Sequence, residues 1–348
     1  LSTMAASAVA NPRHGRVVGG NATIARSSES RLDIVQHSDR AVIEWDRFDI
    51  AVDEHTAFQQ PSASSIALNR VAGNAATEIL GRLTANGRLF LVNPAGIVFG
   101  ASSRIDVAGL VATTIDVPTA DFMAGNYGFD TPGVAHSGVV NEGEITISDG
   151  GLAALVAPWT RNDGVIRARL GSIHLAGADM FTVDFHGDSL IRLAVDEAAL
   201  SQALPTNPVL NSGTLEASEG IVDMTAANAV RALDVAVRCS GLANASSIEN
   251  GPGGTVILGA YGGTAVVSGD LLVDGESGGD IRVSARDIEV SDEALFSASA
   301  LEDGDGGAIE VVATNSATFA GRLCLRGGLH RGDGGRAEVS GANTLSFT

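Results

Sequence analysis

The sequence predicts an all-β chain wound into a parallel β-solenoid, and three observations carry that prediction. The first is a glycine-pair repeat near the end. Gly253-Gly254-Thr255, Gly278-Gly279-Asp280, Gly306-Gly307-Ala308 and Gly334-Gly335-Arg336 recur at spacings of 25, 28 and 28 residues, most of them running into Val/Ile-rich sequence. A fixed period of roughly 20 to 30 residues marks a stack of repeated coils. The second is an upstream repeat, Asn-x-Gly-x-apolar, at Asn141, Asn162 and Asn211. Cys239-Ser-Gly-Leu242 follows Asn211 by 28 residues and reads as the same slot with Cys in place of Asn. The third is composition. Hydrophobic residues make up 45% of the 348, with 43 glycines and only 4% aromatics, which suits a thin β core of small and branched side chains. The spaced leucines of a leucine-rich repeat are missing.

Charge narrows the function classes. A net charge of −19 argues against nucleic acid and against an anionic membrane surface, both of which need basic patches. All 22 basic residues are arginine. No run approaches the ~18 apolar residues of a spanning helix. Two cysteines are too few for a disulfide framework. Cys239 and Cys324 lie 85 residues apart, about three coils, so stacking at ~4.8 Å separates them by ~14 Å. That exceeds the ~7 Å reach of a bridge and predicts two free thiols.

Taken in order, residues 1–10 are small and apolar and end in Ala8-Val9-Ala10. They read as the tail of a signal peptide with an A-x-A cleavage site before Asn11. The lack of an initial Met and an ending in mid-pattern read as a fragment of a longer chain. Residues 17–24, 31–36 and 41–45 alternate apolar and polar and read as short strands, with turns at Gly19-Gly20 and Ser38-Asp39. Residues 74–83 are expected to hold one helical turn, and residues 119–138, rich in Gly and Pro, a protruding loop or hairpin. Residues 195–204 and 225–234 read as helices outside the coil, covering its side. About 14 coils of ~25 residues would make a rod ~65 Å long.

The stretch from residue 89 to 117 organises the rest. Two apolar runs, 89–92 and 97–99, flank the corner Asn93-Pro94-Ala95-Gly96. Pro at the second position pre-sets φ, Asn at the first can bond back to the turn, and Gly is favoured at the fourth. Ala at the third position disfavours the positive φ of a type II turn, so the corner reads as type I. Asn93-Pro-Ala-Gly-Ile-Val-Phe-Gly100 followed by Ile105-Asp-Val-Ala-Gly-Leu-Val-Ala-Thr113 resembles the signature of the secretion domain of two-partner-secretion exoproteins, the filamentous-haemagglutinin type. The likeness extends back through Ile43-Glu-Trp-Asp-Arg-Phe-Asp-Ile50, Phe58-Gln-Gln-Pro61, Leu68-Asn-Arg-Val-Ala-Gly73 and Ile79-Leu-Gly-Arg-Leu-Thr-Ala-Asn-Gly87, in the family's order and spacing. There are two departures. The family usually has Asn where Ala95 stands, and a second Asn-Pro-Asn tetrapeptide found in some members is missing.

The resemblance implies a right-handed parallel β-helix, with small extra-helical hairpins and one or two short helices. It implies a monomeric, non-enzymatic secretion module of a large adhesin- or haemagglutinin-like exoprotein, without cofactor or metal. Such a module leaves a Gram-negative cell for its surface through a cognate outer-membrane β-barrel transporter with periplasmic polypeptide-transport domains. Host-cell or bacterial surface glycans or receptors are the further partners it implies. Transporter recognition is placed on Asn69, Arg70, Asn93, Pro94, Ala95, Gly96 and Ile97; the competing reading is that Asn93 to Gly96 only make a corner. The chain divides into a secretion domain over residues 11–190, a continuation over 191–235 and repeats of about 28 residues over 236–348. A chain threaded unfolded through a pore must not be cross-linked, and this one is cysteine-poor.

Other motifs point elsewhere and are weaker. Gly187-Asp188-Ser189-Leu190 spells an esterase nucleophile block but lacks a downstream Asp-x-x-His. Asp49, Asp53, Glu54 and His55 bring acid/base residue types together without a partner cluster. Residues 302–307, Glu-Asp-Gly-Asp-Gly-Gly, faintly resemble a calcium loop. Arg331-Gly332-Asp333 is the tripeptide integrins read, and it also occupies the slot of Asp303-Gly304-Asp305 one repeat earlier. Asn21-Ala-Thr and Asn244-Ala-Ser match the glycosylation acceptor by coincidence. The alternative function is a β-helix polysaccharide lyase or hydrolase. It would need carboxylates recurring at one slot of the period, whereas Asp and Glu fall mostly at turns.

Overall fold

The computed structural model describes residues 11–185, 191–194, 208–227, 235–247 and 251–348. A single sheet system of 29 strands winds round an apolar interior with three faces, and a separate three-stranded sheet lies outside it. One face runs from Arg40–Trp45 through Ile66–Val71, the second halves of Arg82–Val92 and Arg104–Thr113, and Leu152–Ala157, Ser172–Gly177 and Ile221–Ala226. It continues through the first halves of Thr255–Val267, Asp280–Val290 and Ala308–Phe319 to Arg336–Gly341. All these pairings are parallel. This face is called the covered face below.

The covered face has eleven rungs, so the stack is roughly 48 Å long at ~4.8 Å per rung. The expected 14 coils are therefore too many. The difference lies in excursions: residues 114–137 and, among the described residues, 178–185 and 191–194 leave the coil between successive rungs. At the amino-terminal end, Arg16–Gly19 and Ala22–Ser28 pair antiparallel with Arg40–Trp45 and Arg31–Gln36. This cap blocks the first sheet edge against pairing with another chain.

Both sequence repeats are explained by register. Asn141, Asn162, Asn211 and Cys239 stack in one column, so the Cys does take the Asn slot. A Cβ on Gly164, Gly213 or Gly241 would lie 2.2, 2.1 or 2.0 Å from the carbonyl oxygen of Gly143, Gly164 or Gly213 one coil below. The glycine-pair repeat is a second such column: Gly254, Gly279, Gly307 and Gly335 each sit 1.9–2.2 Å, measured the same way, from the carbonyl of the glycine beneath. Glycine is required there by close approach of backbone to backbone. Inside, Leu83, Ile105, Ile145, Ile166 and Leu215 stack in register in a continuous apolar core. Cys324 stacks on Ser297, Leu272 and Asn244, three rungs above the coil of Cys239, and both thiols are free.

The outward side of the covered face is also apolar. Val42, Leu68, Phe90, Val111, Ala154 and Ala176 are buried beneath a short helix, Thr119–Ala124, and the small antiparallel sheet of Gly128–Phe129, Met180–Val183 and Ile191–Ala194. Phe90 lies at the centre, with the rings of Phe122, Tyr127 and Phe129 at 5.8, 5.7 and 5.9 Å. Residues 119–138 thus lie flat on the coil and include a helix; they are not a protruding loop. The turn of helix expected in residues 74–83 is instead the strand Thr77–Ile79 and the start of the next one, because Thr77 and Ile79 face inward into a rung. The helix expected over 225–234 begins with Thr225 and Ala226, which complete the strand Ile221–Ala226 against the neighbouring coils; residues 228–234 and the helix expected over 195–204 lie outside the described residues.

Candidate recognition site

The two blocks named by the sequence meet at one corner of the early coils. Arg70 stands in register with Val92 and Val92 with Thr113, so Asn93 begins the turn one rung above the end of the Ile66–Val71 strand. Three successive coils turn here, off the covered face.

Asn93 is completely buried. Its backbone carbonyl accepts from Gly96 N at 3.0 Å, closing the turn. Its Oδ1 accepts from Ala95 N at 2.9 Å, as an Asx turn does. Its Nδ2 donates to Ala75 O at 3.0 Å and to Thr77 Oγ1 at 2.9 Å on the coil below. Its backbone N donates to Thr113 O at 3.0 Å on the coil above. One side chain therefore joins the turn to a neighbouring coil with every polar atom partnered. Ala95 is not among the residues with positive φ, in accord with type I, while Gly96 takes φ +114°. Ile97 enters the core in register with Thr77 and Val139.

Pro94 and Ala95 are half-buried and form the crest. The Pro94 carbonyl accepts from Val134 N at 2.8 Å, and a Cβ on Gly133 would meet that oxygen at 2.7 Å and Thr114 O at 2.4 Å. The excursion 114–137 is thus fastened back onto the corner it left.

Asn69 and Arg70 point to opposite sides. Asn69 faces inward, buried, and its Oδ1 accepts from Trp45 Nε1 at 3.0 Å. Arg70 faces outward but only 14% of its side chain is exposed. Its Nε donates to Asp116 at 2.9 Å, Nη1 to Thr119 Oγ1 at 2.9 Å and Nη2 to Val117 O at 2.6 Å. The planar guanidinium holds the strand exit and the helix entry with one group, which a lysine could not do. Sequence reasoning missed Thr77, Asp116 and Gly133. Asp116 and Gly133 stood beside Pro118 and Pro132, which was the available signal, whereas Thr77 carries none.

The other motifs do not assemble into chemistry. Asp49 accepts from Arg47 Nε at 2.6 Å and Glu78 N at 3.0 Å, whereas His55 contacts Arg31 and Thr84. Burial, with Arg31 and Arg82 nearby, lowers the His55 pKa. Among the described residues, no three His, Cys, Asp or Glu side chains form a cluster able to hold a metal ion. Arg331 pairs with Asp303 at 3.2 Å, and a Cβ on Gly332 would overlap Gly304 O, so this tripeptide stacks as a repeat turn. Gly187 to Leu190 lie outside the described residues.

A family model described as the TPS secretion domain matches residues 8–283. A heme/hemopexin-binding protein of Haemophilus influenzae is 40% identical over 118 residues, 34% of this chain and 13% of that protein. A protein of the same description from H. influenzae strain Rd is 32% identical over 211 residues, 59% of this chain and 23% of that one. The chain thus spans less than a quarter of the length of these relatives. The crystal structure of the HMW1 secretion domain of H. influenzae superposes with a TM-score of 0.75 over 96% of both chains at 24% identity, which shows a shared fold.

Proposed function

Because the chain belongs to the TPS secretion domain family, we propose that its early coils are the address by which a cognate outer-membrane β-barrel transporter recognises a larger exoprotein. The residues proposed to be read are Asn93, Pro94, Ala95, Gly96 and Ile97, with Asn69 and Arg70 beside them. The observation that carries this reading is the complete burial and hydrogen-bond saturation of Asn93. The polar groups of this motif are available to a partner only while the coils are open. Closing the coils outside the cell buries them, so folding itself withdraws the address and makes export one-way. The capped amino-terminal end gives folding a starting edge on which each later coil can add. Adhesion to surface glycans or receptors is proposed for the exoprotein as a whole.

The test is export with and without a cognate outer-membrane transporter of the family's β-barrel type. Cells carrying both are expected to release the chain to the surface and medium. Cells lacking the barrel are expected to hold it in the periplasm, and equal release from both would overturn the reading.

A further inference from the structure

Arg40 and Arg88 stand in one outward column of the covered face with Ile66 between them. Their Cα atoms are therefore two rungs, or ~9.6 Å, apart. Both heads converge on one phenol. Arg40 Nε donates to Tyr127 Oη at 2.8 Å, and its Nη1 donates to Met123 O at 3.4 Å. The Arg88 guanidinium carbon lies 4.0 Å from the centroid of the Phe185 ring, which is 5.8 Å from the ring of Tyr127. The coils thus supply two cations, and the two excursions supply the rings between them. Tyr127 is only 7% exposed. Its oxygen accepts from Arg40, and its own proton has no acceptor among the described residues. Glycine keeps room for both arginines. A Cβ on Gly109, the next residue up the column, would come within 3.2 Å of Arg88 Cγ, and one on Gly125 within 3.0 Å of Arg40 Nη2.

Neither cation is neutralised. Among the described residues, Arg40 bonds to a neutral hydroxyl and a carbonyl, and Arg88 makes no side-chain hydrogen bond or ion pair. Arg70, on the same face, pairs with Asp116 at 2.8 Å. Burial lowers the Arg88 pKa, with only the Tyr127 phenol opposing it. A chain of net charge −19 has carboxylates to spare. Two cations left without one, at a shared phenol, mark a place for an anion from outside. Donors arriving from three side chains suit a tetrahedral phosphate with three free oxygens better than a planar carboxylate.

We propose that Arg40, Arg88 and Tyr127 bind the phosphate group of a small soluble phosphate or phosphate ester. The two guanidiniums pair with the anion, and the Tyr127 hydroxyl donates a hydrogen bond to it. Tyr127 and Phe185 belong to the excursions while both arginines belong to the coils, so the anion bridges the two. It binds only when the excursions are seated, and it stabilises that state by mass action. The net charge works against an anionic membrane as the source of the phosphate. The inference does not depend on how the chain is exported.

The test is a calorimetric titration of the purified full chain with inorganic phosphate, at an ionic strength held constant with sodium chloride. Saturable binding of one phosphate per chain is expected, with acetate weaker by about tenfold or more. Arg88→Gln is expected to weaken phosphate binding about tenfold or more. The same variant is expected to leave the urea midpoint measured without phosphate unchanged or higher, because it removes an unpaired charge; an arginine with a merely structural role would lower it. Should Arg88→Gln not fold, Tyr127→Phe deletes only the hydroxyl and is expected to weaken binding about fivefold. The chain is expected not to sediment with phosphatidylcholine vesicles carrying phosphatidic acid, and sedimentation that Arg88→Gln abolishes would overturn the soluble source. No saturable heat with phosphate, equal affinity for acetate, or phosphate binding that survives Arg88→Gln unchanged would overturn the proposal.

Discussion

Asn162 donates from Nδ2 to Asn211 Oδ1 at 2.8 Å, although 49 residues separate them, because both occupy the same slot on successive coils. Asn141 donates to Asn162 Oδ1 in turn at 2.7 Å, and Asn211 meets Cys239 Sγ at 3.8 Å, where the ladder ends. All four side chains are completely buried. Asn141 and Asn162 also donate from Nδ2 to the carbonyl two residues on, Gly143 O and Gly164 O, both at 3.3 Å, and Asn211 donates to Leu242 O on the next coil at 3.3 Å. The ladder holds rungs in register where a slip would turn core side chains outward.

Asn162→Ala is therefore expected to lower stability by about 2–4 kcal/mol, since it leaves the Asn211 acceptor unsatisfied in the interior and opens a small cavity. Cys239→Asn is expected to cost less than about 1 kcal/mol, because it extends the ladder by one step. Urea unfolding midpoints followed by circular dichroism check both. A larger loss for the cysteine variant than for the alanine variant would show that the ladder does not fix the register.

The Arg70 clamp predicts a separate effect. Arg70→Lys keeps the charge but cannot hold Asp116, Thr119 and Val117 together, and is expected to destabilise by about 2–3 kcal/mol. The loss should concentrate in the cover over Phe90. Amide hydrogen exchange is expected to speed up in residues 114–129 while the rungs at 152–157 and 172–177 stay protected. Uniform acceleration along the stack would contradict a local role.

The cysteines should react very differently. Burial pushes the Cys239 thiol up to about 11, whereas a hydrogen bond from Ser299 and the nearby Arg326 guanidinium lower that of Cys324. Iodoacetamide at pH 7.5 is expected to add once to the native chain, at Cys324, and twice after unfolding, with no disulfide in the non-reduced mass. Stability should also fall with rising pH. The unfolded Cys239 thiol ionises first, near 8.5, and stability drains away from there up to about pH 11, by ~3 kcal/mol in all. Alkylation of native Cys239 at pH 7.5 would contradict its place in the core.

The repeats made the coil legible from sequence because stacking demands the same residue at the same slot. The 28-residue step from Asn211 to Cys239 and the glycine pairs both mark places where neighbouring backbones leave no room for choice. The Asn93 corner was legible for a similar reason, since the turn needs Pro, Asn and Gly at set positions. What covered the coil was not. Phe122, Tyr127 and Phe129 pack on Phe90 through contacts between distant segments, and nothing local in residues 119–138 announces that burial. The cap was hidden likewise, because Ala22–Ser28 reads as an ordinary strand whether its partner is parallel or antiparallel. The burial of Asn93 could not be read either: Thr77 is a partner only through the register of another coil.

The most direct measurement compares folding and export for two corner variants, Pro94→Ala and Asn93→Ala. Pro94→Ala keeps every side-chain hydrogen bond of the corner and is expected to cost only about 0.5–1 kcal/mol, through the freer unfolded chain. Asn93→Ala removes the buried amide and is expected to cost about 2–3 kcal/mol. The quantities to record are the midpoint of urea unfolding for the refolded chains and the amount released when each is expressed with the cognate transporter. The address account predicts that both variants still fold, and that release drops about tenfold or more even for Pro94→Ala, out of proportion to its stability. Release that merely tracks the unfolding midpoint, with Pro94→Ala exported like the parent, would mean that Asn93 to Gly96 do nothing beyond turning the chain.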